Sequence, residues 1–240
     1  PRKHQAFLHN KISKHRWSVL VCHRRFGKTV CMINHLIRSA LLSKQKNPRY
    51  AYISPTFKQS KSIAWDYMKQ FTAKIPYTKF NETELRVDLP NGARITLLGS
   101  ENSDGLRGIY LDGCVIDEYA NVNEKLFPEI IRPALSDRKG YCVFIGTPQG
   151  MNNNFYELYQ HAQGAEDWFN YKAKASDTKI VDEDELVKAK EVMGEKKYLQ
   201  EFECDWIANI EGAIYSDILV KMEDKKQLTR VPYDPSLPVS

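Results

Sequence analysis

The most informative segment of the chain reads Ser18-Val19-Leu20-Val21-Cys22-His23-Arg24-Arg25-Phe26-Gly27-Lys28-Thr29. It begins with a short apolar run that contains two valines, which is typical of a buried β-strand. A polar and basic loop follows, and Gly27-Lys28-Thr29 then opens a segment whose apolar residues recur at helical spacing. A strand, a loop, Gly-Lys-Thr and a helix in this order are the context in which a phosphate-binding loop is expected.

This loop offers each group that a nucleotide phosphate requires. Main-chain amides of the loop and of the helix start would converge on the phosphate oxygens. Lys28 would reach the β- and γ-phosphates, and the Thr29 hydroxyl would hold Mg²⁺. The usual motif has a glycine five positions before Gly27, and this chain has Cys22 there, so an ordinary turn before a helix is the alternative. The nucleotide-binding residues predicted from the loop are Cys22, His23, Arg24, Arg25, Phe26, Gly27, Lys28 and Thr29.

Composition predicts a globular protein. The chain has 240 residues, of which 42% are hydrophobic and 27% are charged, and this length suffices for one sizeable α/β domain. It contains neither an apolar run of membrane-spanning length nor a signal-peptide core at its start, so we expect a cytosolic location and no membrane partner. The five cysteines include no Cys-x-x-Cys pair and are interpreted as reduced and mostly buried. A net charge of +5 permits a polyanionic partner without requiring one.

The segment that precedes the loop, residues 1–17, is polar and basic and is predicted to contain a short helix. Gln5 lies in this helix and could hydrogen-bond the edge of an adenine base. A solvated glutamine is the alternative for this position.

Strand and helix patterns alternate after the loop, which predicts an α/β fold with a largely parallel central sheet flanked by helices. The helical region at 182–203 is interrupted by Gly194. The other predicted elements are strands at 50–53, 141–145 and 168–173, helices at about 58–74, 124–135 and from 155 onward, and a hairpin of 85–89 and 94–98 joined by Pro90-Asn91-Gly92.

A second chemical landmark is Gly113-Cys114-Val115-Ile116-Asp117-Glu118. A strand that ends in two carboxylates downstream of a phosphate loop fits a Walker B element, although such a pair can also be a solvated strand end. Asp117 would hold the Mg²⁺ shell, and Glu118 would orient and deprotonate the attacking water. Thr147, in the turn Gly146-Thr147-Pro148-Gln149-Gly150, lies where open α/β sheets bind ligands, at the carboxyl end of a predicted strand.

Together these motifs resemble the ATPase domain of the large terminase subunit of tailed bacteriophages, the motor that packages viral DNA. Loops of that family often lack the first glycine and carry an arginine three residues before the Gly of Gly-Lys-Thr, as Arg24 does here. Leu106-Arg107-Gly108 is similar to the segment with the family's trans-acting arginine, and Gly146-Thr147-Pro148 to its coupling motif. Ile53-Ser54-Pro55-Thr56 resembles the strand after its first helix, and Gln200-Glu201-Phe202-Glu203-Cys204 resembles the stretch that closes its lid.

The resemblance implies a P-loop NTPase of the ASCE type with a small C-terminal lid, which uses ATP and Mg²⁺ to move double-stranded DNA into a capsid. It implies a homo-oligomeric ring, commonly of five subunits, with the portal protein and the small terminase subunit as partners in the cytoplasm of the infected bacterial host. The metal-binding residues would be Thr29 and Asp117. The residues expected to be catalytic are Glu118, Arg24, Arg107, Lys28 and Thr147.

The expected domain boundaries are an ATPase core at 1–176, a lid or linker subdomain at 177–230, and a proline-rich linker at 231–240. Family members usually continue into an RNase H-like nuclease domain. This sequence is expected to stop in the proline-rich segment before such a domain would begin, so we expect no DNA cleavage by this chain. The basic residues Lys69, Lys74, Lys79 and Arg94 are candidates for DNA contacts through phosphates.

Three other functions fit part of the pattern. A superfamily 2 helicase shares the phosphate loop and the Asp-Glu pair, but it would need a second RecA-like domain. A small-molecule kinase needs only the phosphate loop, whereas the Asp117-Glu118 pair favours hydrolysis by water. A nucleotide-gated scaffold would bind DNA through its basic surface without turnover.

Overall fold

The computed structural model describes residues 2–207 and 222, apart from the side chains of residues 103–105. The predicted proline-rich linker at 231–240 lies outside the described residues. Within them, the strands are β1 Trp17–Cys22, β2 Arg49–Ser54, β3 Lys79–Asn81, β4 Arg86–Asp88, β5 Arg94–Gly99, β6 Gly113–Ile116, β7 Tyr141–Gly146 and β8 Trp168–Ala173. They form one sheet in the order β3-β4-β5-β2-β6-β7-β1-β8.

Helices connect these strands. In the described part of the chain they are α1 Lys3–Ile12, α2 Lys28–Leu42, α3 Phe57–Gln59, α4 Asp66–Thr72, α5 Arg132–Ala134, α6 Asn154–Gly164, α7 Ala175–Thr178, α8 Glu183–Met193 and α9 Glu195–Phe202. A π-helical segment, Ser60–Trp65, joins α3 to α4, and a second one, Leu126–Ile131, leads into α5. The helices predicted at about 58–74 and 124–135 are therefore present, but each contains a wider turn that sequence spacing did not indicate.

The predicted largely parallel sheet is confirmed. Strands β5, β2, β6, β7, β1 and β8 run parallel to one another, whereas β4 pairs antiparallel with both β3 and β5. Strand β7 lies between β1, which leads into the phosphate loop, and β6, which leads to Asp117. This insertion of a strand between the two motif strands is the ASCE arrangement. Because parallel strands end at the same edge, the sheet gathers the loop, Asp117 and Thr147 at one edge.

Both faces of the sheet are covered, so β1 is buried along its whole length. On one face Leu20 belongs to an apolar cluster with Ile33 and Leu36 of α2. On the other face Val19 belongs to a second cluster that includes Phe155 of α6. Two covered faces explain why β1 reads as a continuous apolar run instead of an alternating one.

The five cysteines are free and buried, as composition predicted. Among the described residues, no group of three or more His, Cys, Asp or Glu side chains is arranged to hold a metal ion. None of the helices in this part of the chain combines the length and the apolarity needed to cross a membrane.

Candidate functional site

The loop between β1 and α2 has a backbone that depends on glycine. Gly27 has φ +89°, and Arg25 has φ +71°, so two residues of the loop adopt the left-handed region. A side-chain carbon at position 27 would also lie 3.0 Å from Nε2 of Gln5. Strain and crowding together therefore favour glycine at this position.

Lys28 crosses the inside of this loop. Its Nζ donates to the carbonyl oxygens of Cys22 at 3.1 Å and His23 at 3.4 Å. The amide of Cys31 makes the first helical hydrogen bond of α2, at 3.1 Å to the carbonyl of Gly27. The amides at positions 28–30 precede that bond and are not used by the helix itself. A loop with free amides at a helix start and a lysine ammonium inside it fits a phosphate group.

Three of the predicted nucleotide-binding residues have side chains that are packed into the protein. Cys22 and Phe26 are each 1% exposed, and burial raises the pKa of the Cys22 thiol, so this group remains neutral. His23 is fully buried, and its ring nitrogens lie 2.6 Å from the carbonyl of Arg24 and 2.8 Å from Oγ1 of Thr178. Burial is the main cause that lowers the pKa of His23. Contacts of these residues with a nucleotide would therefore come from the main chain.

Arg24 and Arg25 are exposed at the loop surface. The amide of Arg24 donates to the carbonyl of Glu201 at 2.8 Å, which ties the loop to α9. The charge of Arg24 also acts on the Glu118 carboxyl, so its guanidinium lies within electrostatic reach of the second motif.

Asp117 follows β6 and is 5% exposed. Its Oδ1 accepts a hydrogen bond from the amide of Glu118 at 2.9 Å, and its Oδ2 accepts one from the hydroxyl of Tyr52. Burial raises the pKa of Asp117, and these two donors together with Lys28 oppose that rise. The carboxylate is thus buried, hydrogen-bonded and close to the lysine of the phosphate loop.

Glu118 adopts a left-handed backbone conformation, with φ +47°. Burial first, and then the neighbouring Asp117, raise the pKa of Glu118 to about 7, while Lys28 and Arg24 act in the opposite direction. A carboxyl with a pKa near neutrality suits a group that accepts a proton from water. The cations of the phosphate loop are close enough to influence it, so both motifs contribute to one site.

Thr147 is 5% exposed and follows β7 at the same sheet edge. The turn that contains it is held by a buried amide from α9, because Nε2 of Gln200 donates to the carbonyl of Pro148 at 2.5 Å and to Oε1 of Gln149 at 3.2 Å. The predicted coupling segment and the predicted lid segment are therefore in direct contact.

Gln5 lies against the phosphate loop instead of in solvent. It is 8% exposed, and its Nε2 donates to the carbonyl of Gly27 at 3.3 Å. Its Oε1 accepts from the amide of Arg2 at 3.0 Å. The solvated alternative for Gln5 is therefore wrong. A cleft of about 680 Å³ opens beside it, bordered by Gln5, Arg25 and Gly27 on one side and by Asp182 and Glu185 at the start of α8 on the other.

The remaining predicted residues lie at the surface. Arg107 is half exposed, with its Nη2 3.9 Å from Oε2 of Glu129. Two of the basic candidates for DNA contacts form ion pairs, since Lys69 pairs with Glu82 at 3.3 Å and Arg94 pairs with Asp88 at 2.6 Å. The other two, Lys74 and Lys79, are exposed.

Three residues of the site could not be assigned a role from sequence. Tyr52 reads as an ordinary apolar strand residue, because its contact with Asp117 depends on how β2 and β6 align. Gln200 and Glu201 were placed only by resemblance to a lid segment. Pattern alone offers no signal for their contacts with Pro148 and Arg24.

The residues present fit both ATP and Mg²⁺. The loop amides and Lys28 can hold phosphates, while the cleft beside Gln5 has room for a base and a sugar. In nucleotide sites Mg²⁺ is held by one or two protein ligands together with phosphate oxygens. Thr29 and Asp117 would serve as such a pair, which differs from a metal cage built entirely from protein side chains.

Comparison with known proteins agrees with this geometry. The family model described as terminase large subunit, T4likevirus-type, N-terminal, matches residues 21–222. The terminase large subunit of Thermus phage G20c is 40% identical over 60 residues, which cover 25% of this chain and 12% of that protein. The same values hold for the terminase large subunit of Thermus virus P23-45.

Solved structures show the same fold. The large terminase ATPase domain of Thermus phage P74-26 superposes with a TM-score of 0.72 at 20% identity, covering 86% of this chain and 94% of that one. The large terminase of another thermophilic bacteriophage, solved in complex with ADP, gives 0.74 at 16% identity, covering 85% and 53%. Because the family model spans most of the described chain, the protein belongs to the family of N-terminal domains of T4likevirus-type terminase large subunits.

Proposed function

We propose that this chain hydrolyses ATP with Mg²⁺ and that it is the motor domain that drives double-stranded DNA into a viral capsid. The observation that carries the proposal is the convergence of Lys28, Asp117 and Glu118 at one edge of the sheet, where the two other groups act directly on the Glu118 carboxyl. Membership of the terminase family favours this function over a superfamily 2 helicase. Complexes of the thermophilic-phage large terminase with ADP and with ATP-γ-S support nucleotide binding at the corresponding fold.

Each residue of the site would have a distinct role. Lys28 and the loop amides bind the phosphates, while Glu118 accepts a proton from the attacking water. Thr29 and Asp117 hold Mg²⁺, which neutralises charge on the phosphate oxygens when it is bound. Gln5 lies against the loop at the side of the cleft where a base would enter. Its role would be to position the loop and contact the adenine.

The partners belong to the same proposal. Family membership supports a homo-oligomeric ring that assembles with a portal protein and a small terminase subunit in the cytoplasm of an infected bacterium. In such a ring Arg107, which lies at the surface, would act on the nucleotide of a neighbouring subunit. Thr147 would transmit the state of the nucleotide to α9 through the turn that Gln200 contacts. DNA would be gripped through its phosphates, so its affinity should fall as salt rises.

A comparison of two lysine variants tests the activity. Lys28→Ala removes the ammonium inside the loop and should abolish both ATP binding and phosphate release while the protein stays folded. Lys58→Ala is the matched control, since Lys58 is an exposed residue of α3. Fluorescent-nucleotide binding and phosphate release would be measured for both. Turnover at the wild-type rate in Lys28→Ala would refute the proposed function.

A further inference from the structure

Tyr52 lies in the middle of β2 and is fully buried. Strand β2 pairs with β6, and Tyr52 lies opposite Val115, two residues before Asp117. The amide of Asp117 extends this ladder by donating to the carbonyl of Ile53 at 2.7 Å. Strand register therefore brings the Tyr52 side chain to the carboxylate that ends β6.

The Tyr52 hydroxyl donates a hydrogen bond to Oδ2 of Asp117, while the Glu118 amide donates to Oδ1. Each oxygen of the buried carboxylate thus has one protein donor, which leaves further lone pairs for a metal or for its water shell. A buried ionised carboxylate is costly unless such donors are present. Tyr52 therefore orients Asp117, and its hydrogen bond favours the ionised carboxylate.

Asp117 is the proposed metal ligand that this hydroxyl contacts. Outer partners of metal ligands commonly orient the ligand atoms in this way. We propose that the Tyr52 hydroxyl positions Asp117 for Mg²⁺, which makes Tyr52 a positioning residue of the metal site. This inference rests on the proposed function, because Mg²⁺ belongs to that proposal.

The same strand provides a contrasting tyrosine. Tyr50 is also buried, and its hydroxyl donates to the carbonyl of Ser39 at 3.2 Å. This bond fastens β2 to α2 without involving either proposed metal ligand. Tyr50→Phe therefore removes the same atom from the same strand, and it serves as the matched control for Tyr52→Phe.

Mn²⁺ binding to the ADP complex, measured by electron paramagnetic resonance, gives a readout that is independent of turnover. Tyr52→Phe should weaken Mn²⁺ binding roughly 10- to 100-fold, the usual cost of losing an outer partner of a metal ligand. Binding of ADP in EDTA should change less than about twofold, because the phosphate-binding groups are untouched. Tyr50→Phe should leave both affinities unchanged.

Wild-type Mn²⁺ affinity in folded Tyr52→Phe would overturn the inference. A double-mutant comparison covers the case in which Tyr52→Phe alone fails to fold, because Asp117→Asn removes the buried charge that has lost its donor. The double variant of Tyr52→Phe with Asp117→Asn should bind Mn²⁺ as weakly as Asp117→Asn does, and a further loss would contradict action through Asp117. Failure of the wild-type ADP complex to bind Mn²⁺ would instead refute the magnesium part of the proposed function, and this inference with it.

Discussion

The main-chain amide of Arg24 donates a 2.8 Å hydrogen bond to the main-chain carbonyl of Glu201, which fastens the phosphate loop to helix α9. One residue earlier, the buried side chain of Gln200 donates to the carbonyl of Pro148. Two adjacent residues of α9 thus contact the two loops that would respond to ATP. This pair of contacts is the physical route by which we expect nucleotide state to reach the C-terminal helices.

Loss of the Gln200 amide should destabilise the domain. Gln200→Ala leaves the carbonyl of Pro148 without its donor in a buried setting, which typically costs about 1–3 kcal/mol. The free energy of unfolding would be measured by chemical denaturation. Gln160→Ala, at an exposed position of α6, is the control and should change stability by less than about 0.5 kcal/mol. Equal effects of the two substitutions would show that the contact with Pro148 contributes no stability.

The sequence predicted the helices, strands and breaks for which the local residue pattern favours the same structure as the tertiary contacts do. The strand, loop and helix around Gly27-Lys28-Thr29, the strand before Asp117 and the break at Gly194 all have strong local signals, and all are present. The order of the strands was not predicted, because strand pairing is decided by contacts distant in sequence. Strand β3, Lys79–Asn81, is short and polar and is specified by its partner β4, so it could not be recognised.

The candidate site could likewise be predicted only where a local sequence motif defines it. Lys28, Asp117 and Glu118 were predicted from motifs, and the structure places them at one edge of the sheet. The connections among them were not predictable, because the contact of Tyr52 with Asp117 depends on the register of β2 against β6. The roles of Gln5, Arg107 and Thr147 in the reaction remain predictions.

Stability should depend on pH through Glu118. Its pKa is raised from 4.5 to about 7 in the folded protein, so between these values the folded state holds a proton that the unfolded chain has released. The free energy of unfolding therefore falls as pH rises through this window. Glu118→Gln should lose less stability between about pH 4.5 and 7 than the wild type, in buffer without nucleotide or metal.

Urea denaturation at a series of pH values would check this expectation. Glu124→Gln is the control, because Glu124 is exposed and precedes the π-helical segment. Parallel stability curves for Glu118→Gln and the wild type would mean that the Glu118 carboxyl titrates alike in the folded and unfolded states.

Arg107 should act between subunits. An arginine supplied in trans is worth roughly 10³–10⁵ in rate, or about 4–7 kcal/mol of transition-state stabilisation. We expect Arg107→Ala to leave the low hydrolysis rate of a monomer nearly unchanged and to cripple the assembled, DNA-engaged motor. Mixed rings of Arg107→Ala and Lys28→Ala subunits should recover hydrolysis that neither variant has alone.

Phosphate release from such mixtures is the measurement, and light scattering would verify the oligomeric state. If mixing restores nothing and Arg107→Ala already abolishes hydrolysis in a verified monomer, the arginine acts within its own subunit. The ring mechanism would then lose its main support from this residue.

Glu118 is proposed to perform the chemistry and Asp117 to hold the metal, and a comparison of Glu118→Gln with Asp117→Asn separates these two roles. Equilibrium binding of Mg²⁺-ATP and single-turnover hydrolysis would be measured for both variants and the wild type. Glu118→Gln should bind Mg²⁺-ATP normally and hydrolyse it roughly 10²–10⁴ times more slowly, because an amide cannot accept a proton from water. Asp117→Asn should weaken Mg²⁺-dependent nucleotide binding. Wild-type hydrolysis by Glu118→Gln, or an exchange of the two phenotypes, would show that Glu118 and Asp117 do not have these roles.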